Sequence, residues 1–203
     1  MSKQNHDTMD EQNFKNKIEF LDGAERRRLL PPEEILNILP IKKTHTILDA
    51  GAGSGYLTVP AAKLVNGAVY ALDMDERMLD VIAAKARAEN ITNIKLVPGS
   101  IDEIPLPEES ADIVLASLIL HEVRPLSRVL QQIRRVLKED GHFLCLEYQK
   151  EEGTVPGPPM HIRIHSSEME QELLNAGFHE VQKLYHGKSI YIITAKKTAV
   201  QVG

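Results

Sequence analysis

A single cysteine, Cys145, leaves no possibility of a disulfide within the chain. It lies inside the apolar run Phe143-Leu144-Cys145-Leu146, which suits a small core residue better than a reactive thiol, since a thiol needs an electropositive, partly exposed setting. No apolar run approaches the roughly 20 residues that span a bilayer. The opening stretch, Met1 to Asp7, is polar and lacks the apolar segment and small-residue cleavage site of a secretory signal, so a cytoplasmic protein without a membrane segment is expected. Basic charge is not in excess either. With 24 Lys and Arg against 29 Asp and Glu the net charge is -5, which disfavours a broad nucleic-acid surface. Arg26-Arg27-Arg28 and Arg134-Arg135 are local clusters able to touch an anion, but solvated helix faces are the plainer expectation. What remains is an ordinary globular composition, 42% hydrophobic and 26% charged, over 203 residues, enough for one generous domain with a single core.

The polar residues up to about 10 are expected to fray. Phe14, Ile18 and Leu21 then recur at helical spacing, and Pro31-Pro32 opens a short helix whose apolar face is Ile35, Leu36 and Leu39, stopped by Pro40. Residues 1–40 are therefore expected to form a helical cap or lid, and 41–203 the main domain. From there strands and helices alternate: strand 46–50, helix 55–64, strand 68–73, helix 76–89, strand 94–97 and the nearly continuous apolar strand 111–117. Leu126, Val129, Leu130, Ile133, Val136 and Leu137 mark one face of a helix that Asp140-Gly141 should end before strand 142–148. This alternation predicts a mostly parallel α/β sheet, doubly wound and Rossmann-like, with helices on both faces. Glu151 to Pro159 reads as a loop, Ser166 as the cap of a helix ending at Gly177, and runs 178–185 and 189–196 as an antiparallel pair joined at His186-Gly187-Lys188.

The most informative segment is Asp49-Ala50-Gly51-Ala52-Gly53-Ser54-Gly55. Alternate glycines between a buried strand and a helix present bare backbone where a ligand must come close, and Asp73, ending the next strand, can accept hydrogen bonds from both hydroxyls of a ribose. A dinucleotide fingerprint would need its third glycine at position 56, where this chain has Tyr56. A pyrophosphate also needs an open helix amino terminus, whereas adenosylmethionine brings an amino acid and a sulfonium there. The spacing favours the methyl donor.

From Ile47 to about residue 150 the sequence resembles the class I S-adenosylmethionine-dependent methyltransferases, especially the ubiquinone and menaquinone biosynthesis group. Ile47–Gly55 is similar to the family's first motif and Val69–Asp75 to its second. Val97–Ile101 with Ile104–Pro107 is similar to the third, Ala111–Val123 to the fourth, and Val136–Gly141 to the turn before strand five. The resemblance implies a seven-stranded sheet with an antiparallel carboxy-terminal strand inserted. It implies S-adenosyl-L-methionine as cofactor, with contacts from Gly51, Gly53, Asp73, Met74, Ser100, Ile101 and Ser117. Asp49, Ala52 and Gly55, in the same loop, complete the expected cofactor-binding set. One departure concerns the adenine amino group, which family members often hold with an acid where this chain has Ser100; Asp102 is the other possible source of that contact.

Methyl transfer is a direct displacement that alignment alone can promote. An acceptor that must lose a proton needs a base, and His121, just past strand four with Glu122 beside it, is the candidate; packing or orienting the substrate is the alternative role. Glu147 and Tyr148 end strand five and can line the same pocket. His161, Arg163 and His165 would share a face if their segment is extended, but they lack a third ligand and a carboxylate at metal spacing, so no metal is expected. The expected partner is a small-molecule methyl acceptor, with RNA or protein methylation, an NAD-dependent oxidoreductase and a non-catalytic nucleotide-binding module as competing readings.

Overall fold

Seven strands form one sheet in the order β3-β2-β1-β4-β5-β7-β6: β1 Ile47–Ala50, β2 Val69–Asp73, β3 Ile94–Pro98, β4 Ala111–Ser117, β5 Leu137–Tyr148, β6 His179–Tyr185 and β7 Ile190–Lys196. The computed structural model describes residues 2–151, 157–185 and 189–198, without the side chains of 2–9 and 185. Strands β1 to β5 pair in parallel, while β7 runs antiparallel to both β5 and β6. The expected α/β sheet with its inserted antiparallel strand is therefore present. The His186-Gly187-Lys188 turn, and residues 152–156 of the expected Glu151 to Pro159 loop, lie outside the described residues.

Central strands hidden on both faces must be apolar at every position, and alternate side chains then feed two different cores. Leu48, Ala50, Val114, Ala116, Phe143, Cys145 and Ile193 meet helices α6 (Leu126–Val136) and α7 (Ser166–Asn175) on one side. Ile47, Val69, Ile113, Leu115, Leu144, Leu146 and Ile192 point the other way, toward α3 (Pro32–Leu36) and α4 (Thr58–Leu64). Helix α5 (Glu76–Ala88) packs Leu79 and Ile82 against Ala52 and Ala71. In α6 the 3-4 spacing buries Leu126, Val129, Leu130, Ile133 and Val136 together, each contributing about 1.5–3 kcal/mol of gross hydrophobic stabilisation. Cys145 is a fully buried core residue, its thiol pushed well up by burial.

Several boundaries differ from the sequence expectation. Helix α6 ends at Val136 rather than at Asp140-Gly141, because Leu137 already pairs with Ala111 in the sheet; the extra residues are absorbed by a bulge between Ala111 and Ile113. Helix α7 is capped by His165, whose ring accepts from the Ser167 amide, and not by Ser166, which is buried. Residues 51–57 form turns, so the helix after the glycines starts at Thr58 instead of Gly55. At the amino terminus α1 (Ser2–Asp22) runs from Ser2 where fraying was expected, and α2 (Ala24–Leu29) follows after Gly23. Among the described side chains neither contributes to the buried cores, whereas Leu30, Ile35, Leu36 and Leu39 join the core around Ile47 and Leu57.

Candidate active site

The parallel topology brings the ends of β1, β2 and β4 to one edge, where the glycine turn folds back over the sheet. Gly51 and Ala52 amides both donate to the Leu72 carbonyl at 2.9 Å, locking the turn to β2. Gly51 has φ +77°, and a Cβ there would stand 2.6 Å from Ile119 Cγ1, so only glycine fits. At Gly53 the surroundings are looser: a Cβ would meet only Leu21 Cδ1, at 3.4 Å, which leaves this side of the loop approachable. The Asp73 carboxylate ties the loop down from below, Oδ2 accepting from the Gly53 amide at 2.7 Å and Oδ1 from the Asp75 amide at 2.9 Å. A cleft results, lined by Leu21, Arg26, Asp49, Gly51, Ala52, Gly53, Ser54, Tyr56, Leu57 and Ser117.

Asp49 sits at the base of this cleft, 2% exposed, accepting from Thr58 Oγ1 at 2.6 Å. Burial, aided by the charge of Asp73, pushes its carboxyl up to about 6, although the Thr58 hydrogen bond and the Arg26 charge pull the other way. Arg26 corrects the expectation of a solvated helix face. Its guanidinium stacks 4.0 Å over the Tyr56 ring, Nη1 donates to the Leu21 carbonyl at 2.6 Å, and Nη2 donates to Ser117 Oγ at 3.2 Å. Burial lowers its affinity for the proton, opposed by the nearby Tyr56, Tyr148, Asp22 and Asp49. The Arg134-Arg135 cluster is likewise not simply solvated. Arg134 Nε donates to the Gly177 carbonyl at 3.1 Å, while Arg135 donates to the carbonyls of Ile104 and Leu106 and so braces the segment after β3.

Met74 is 79% exposed just past β2. Ser100 caps a single 3-10 turn, 101–103, its Oγ accepting from the Asp102 amide at 3.2 Å, and Ile101 is buried in the core. Asp102 Oδ1 is a buried oxygen without a hydrogen-bond partner among the described residues, and so is Ser54 Oγ in the glycine turn. Buried polar atoms of this kind need a partner. A ligand with a ribose, an adenine amine and an amino-acid cation would supply donors to these oxygens, so the residues present fit S-adenosylmethionine.

His121 stands beyond β4 with its ring largely buried. Its Nδ1 is 2.8 Å from Glu147 Oε2, and Nε2 is 3.9 Å from Glu122 Oε1. Burial opposes the imidazolium, but the hydrogen bond and charge of Glu147 outweigh it and raise the His121 pKa. Tyr148 meets the His121 ring edge-on at 6.3 Å between centroids, and Arg163 lies 5.3 Å from the Tyr148 ring centre. The His161, Arg163 and His165 face is not formed: 160–162 is a turn, Arg163 is buried with Nε donating to the Pro158 carbonyl at 2.8 Å, and His165 caps α7. Two residues here exceed what sequence reasoning assigned. Glu147 carried a signal, an acid ending an apolar strand; Arg26 carried none, because its role depends on α2 folding back over the glycine turn.

Sheet order, inserted antiparallel strand, glycine turn and carboxylates at the parallel strand ends together define an S-adenosylmethionine-dependent methyltransferase fold. A family model described as a methyltransferase domain matches residues 48–145. The demethylmenaquinone methyltransferase of Geobacillus stearothermophilus is 33% identical over 124 residues, 60% of this chain and 53% of that protein. The ubiquinone/menaquinone biosynthesis C-methyltransferase of Proteus mirabilis is 32% identical over 113 residues, 54% of this chain and 45% of its own length. The chain thus spans about half the length of these curated relatives. A solved SAM-dependent methyltransferase from Aquifex aeolicus superposes with a TM-score of 0.81 at 28% identity, covering 89% of this chain and 97% of that one. Residues 48–145 match a methyltransferase domain, and the chain as a whole is similar to class I S-adenosylmethionine-dependent methyltransferases, the quinone-biosynthesis enzymes among them. Oxidoreductase, RNA and protein-acceptor readings are not favoured by these matches. No described helix is long and apolar enough to cross a membrane.

Proposed function

We propose that this protein transfers a methyl group from S-adenosylmethionine to a small-molecule acceptor by in-line displacement. The observation that carries this reading is the cleft lined by the glycine turn and the buried Asp49 carboxylate, with the Asp73 carboxylate bound to the Gly53 amide of that turn. When bound, the donor supplies a methyl on a sulfonium, an electrophile that needs no nucleophilic side chain. Asp73 takes the ribose hydroxyls, and Gly51, Ala52, Gly53 and Gly55 provide the backbone cradle. Asp49 faces the cationic amino-acid end, while Met74, Ile101 and Ser100 or Asp102 flank the adenine. Ser117 borders the methyl-bearing end. His121 takes the acceptor's proton. Helices α1 and α2, with Leu21 and Arg26 over the cleft, act as the cap that excludes water.

The acceptor stays at the level of a small molecule, because the family model covers 48–145 and leaves out the cap and the carboxy-terminal segments. Isothermal calorimetry with S-adenosylmethionine and with its demethylated product tests the reading. Saturable binding of both is expected. Binding of neither, or saturable NAD binding in their place, overturns it.

A further inference from the structure

Glu147 is fully buried, and among the described residues no Lys or Arg pairs with it. Three backbone amides and one imidazole nitrogen surround it instead. Oε1 accepts from the amides of Leu120 at 2.7 Å and His121 at 3.3 Å, and Oε2 accepts from the Tyr148 amide at 3.3 Å and faces His121 Nδ1 at 2.8 Å. Three of these are backbone N–H groups that can only donate, so both carboxyl oxygens of Glu147 serve as acceptors here. An acceptor oxygen opposite Nδ1 requires the proton to sit on Nδ1, which leaves the lone pair of the neutral ring on Nε2.

We propose that Glu147 is a positioning residue that fixes His121 as the Nδ1–H tautomer, making Nε2 the general base for an acceptor whose attacking atom carries a removable proton, such as a phenol, enol or thiol. This rests on the methyltransferase reading above. In the step, the acceptor's X–H proton passes to Nε2 while its electron pair forms the X–C bond to the methyl. The C–S pair returns to sulfur, discharging the sulfonium to a thioether, and the imidazolium later yields its proton to water. Glu147 faces the imidazolium from β5, with Glu122 on the same turn favouring the charge, Arg124 opposing it, and Tyr148 alongside.

Glutamine at 147 cannot reproduce this. If its carbonyl keeps the Leu120 and His121 amides, its NH2 group faces Nδ1 and the ring must turn to the Nε2–H tautomer, which is no base.

Long-range 1H–15N correlation spectra of the full chain read the tautomer without any substrate, His121 being assigned by the loss of its signals in His121→Asn. A protonated Nδ1 and bare Nε2 are expected above the His121 pKa, with that pKa falling in Glu147→Gln and restored toward native in Glu147→Asp. With labelled S-adenosylmethionine and a small-molecule cell extract as acceptor pool, Glu147→Gln and His121→Asn should each lose about 10²- to 10⁴-fold in rate. Donor affinity by calorimetry should stay unchanged, and the double variant should lose little more than either single one. An Nε2–H tautomer in the unaltered protein, or native labelling rates in Glu147→Gln, overturns the proposal while leaving donor binding intact. No donor binding or no labelling by the unaltered chain removes the methyltransferase reading beneath it, a failure distinguishable because the tautomer is read independently.

Discussion

Asp49→Asn is expected to make the donor-free protein more stable and a poorer donor binder. Asp49 is 2% exposed, and its carboxyl is pushed up from 3.8 to about 6, chiefly by burial. That rise of about two pK units corresponds to about 3 kcal/mol by which the native state disfavours the ionised form at neutral pH. The sign follows from proton uptake. Between about pH 4 and pH 6 the folded state binds more protons at this site than the unfolded state, so the site's contribution to stability falls as pH rises through that window and is fully unfavourable above it. Asparagine removes the charge, and its carbonyl can still accept from Thr58 Oγ1. Urea unfolding without donor should therefore show the variant up to about 3 kcal/mol more stable at pH 7.5, or about 6–12 °C higher in Tm for a chain of this size. The advantage should shrink toward zero below about pH 3, where Asp49 is neutral in both states. Donor affinity should drop in the same variant, because the lost carboxylate faces a cationic ligand. A variant less stable than native at pH 7.5, or a difference that does not vary with pH, refutes the reasoning.

Asp73→Ala should weaken S-adenosylmethionine binding by about 10- to 100-fold, the worth of a charged hydrogen-bond acceptor; unchanged affinity in calorimetry would remove Asp73 from the ribose role. Gly51→Ala faces φ +77° and a 2.6 Å approach to Ile119 Cγ1. The backbone conformation alone costs about 1–2 kcal/mol, so chemical denaturation should register at least that loss together with impaired donor binding. Amide hydrogen exchange should be faster through α1 and α2 than through β4 or α6, and slowed there by saturating donor. Equal protection of α2 and α6 without donor would contradict the cap assignment.

The parts of this molecule that sequence could show were those carried by local rules. Strands β1, β2 and β4 could be read because continuous apolar runs, glycine turns and terminal acids each constrain neighbouring residues directly. Helix α6 was visible from its 3-4 spacing, yet its end was not, since the competition between Leu137 as a helical residue and Leu137 as the partner of Ala111 is decided by a strand 26 residues away. The same limit applies to the site. Tyr56 excluded a dinucleotide fingerprint by its position alone, and in the fold it serves as the surface on which Arg26 stacks. His121 was legible as a histidine after β4, but its partner Glu147 lies across the β4–β5 pairing, where Ser117 is matched with Leu146. No spacing within either segment encodes that pairing.

The proposed division between cap and body rests on the same energetics. Cap residues up to Leu29 are held by contacts that water can largely replace: Arg26 to Ser117, Arg27 to Asp22 at 2.5 Å, and Lys85 bridging Asp22 to the Ser54 carbonyl. Arg27 and Lys85 keep part of their surface in water although Asp22 between them is buried, and α2 buries no residue in the apolar core. From Leu30 onward the balance reverses. Leu30, Ile35, Leu36 and Leu39 lie in the core beside Ile47 and Leu57, and withdrawing four such side chains would forfeit about 1.5–3 kcal/mol apiece. The Tyr56 hydroxyl, donating to the Leu30 carbonyl, pins the junction itself. A cap that opens to admit a ligand therefore has its hinge near Leu30, ten residues before the proline at 40 that the sequence suggests as the boundary. The bond between the Ser54 carbonyl and Lys85, and through it to Asp22, couples that motion to the glycine turn on which the ligand would rest.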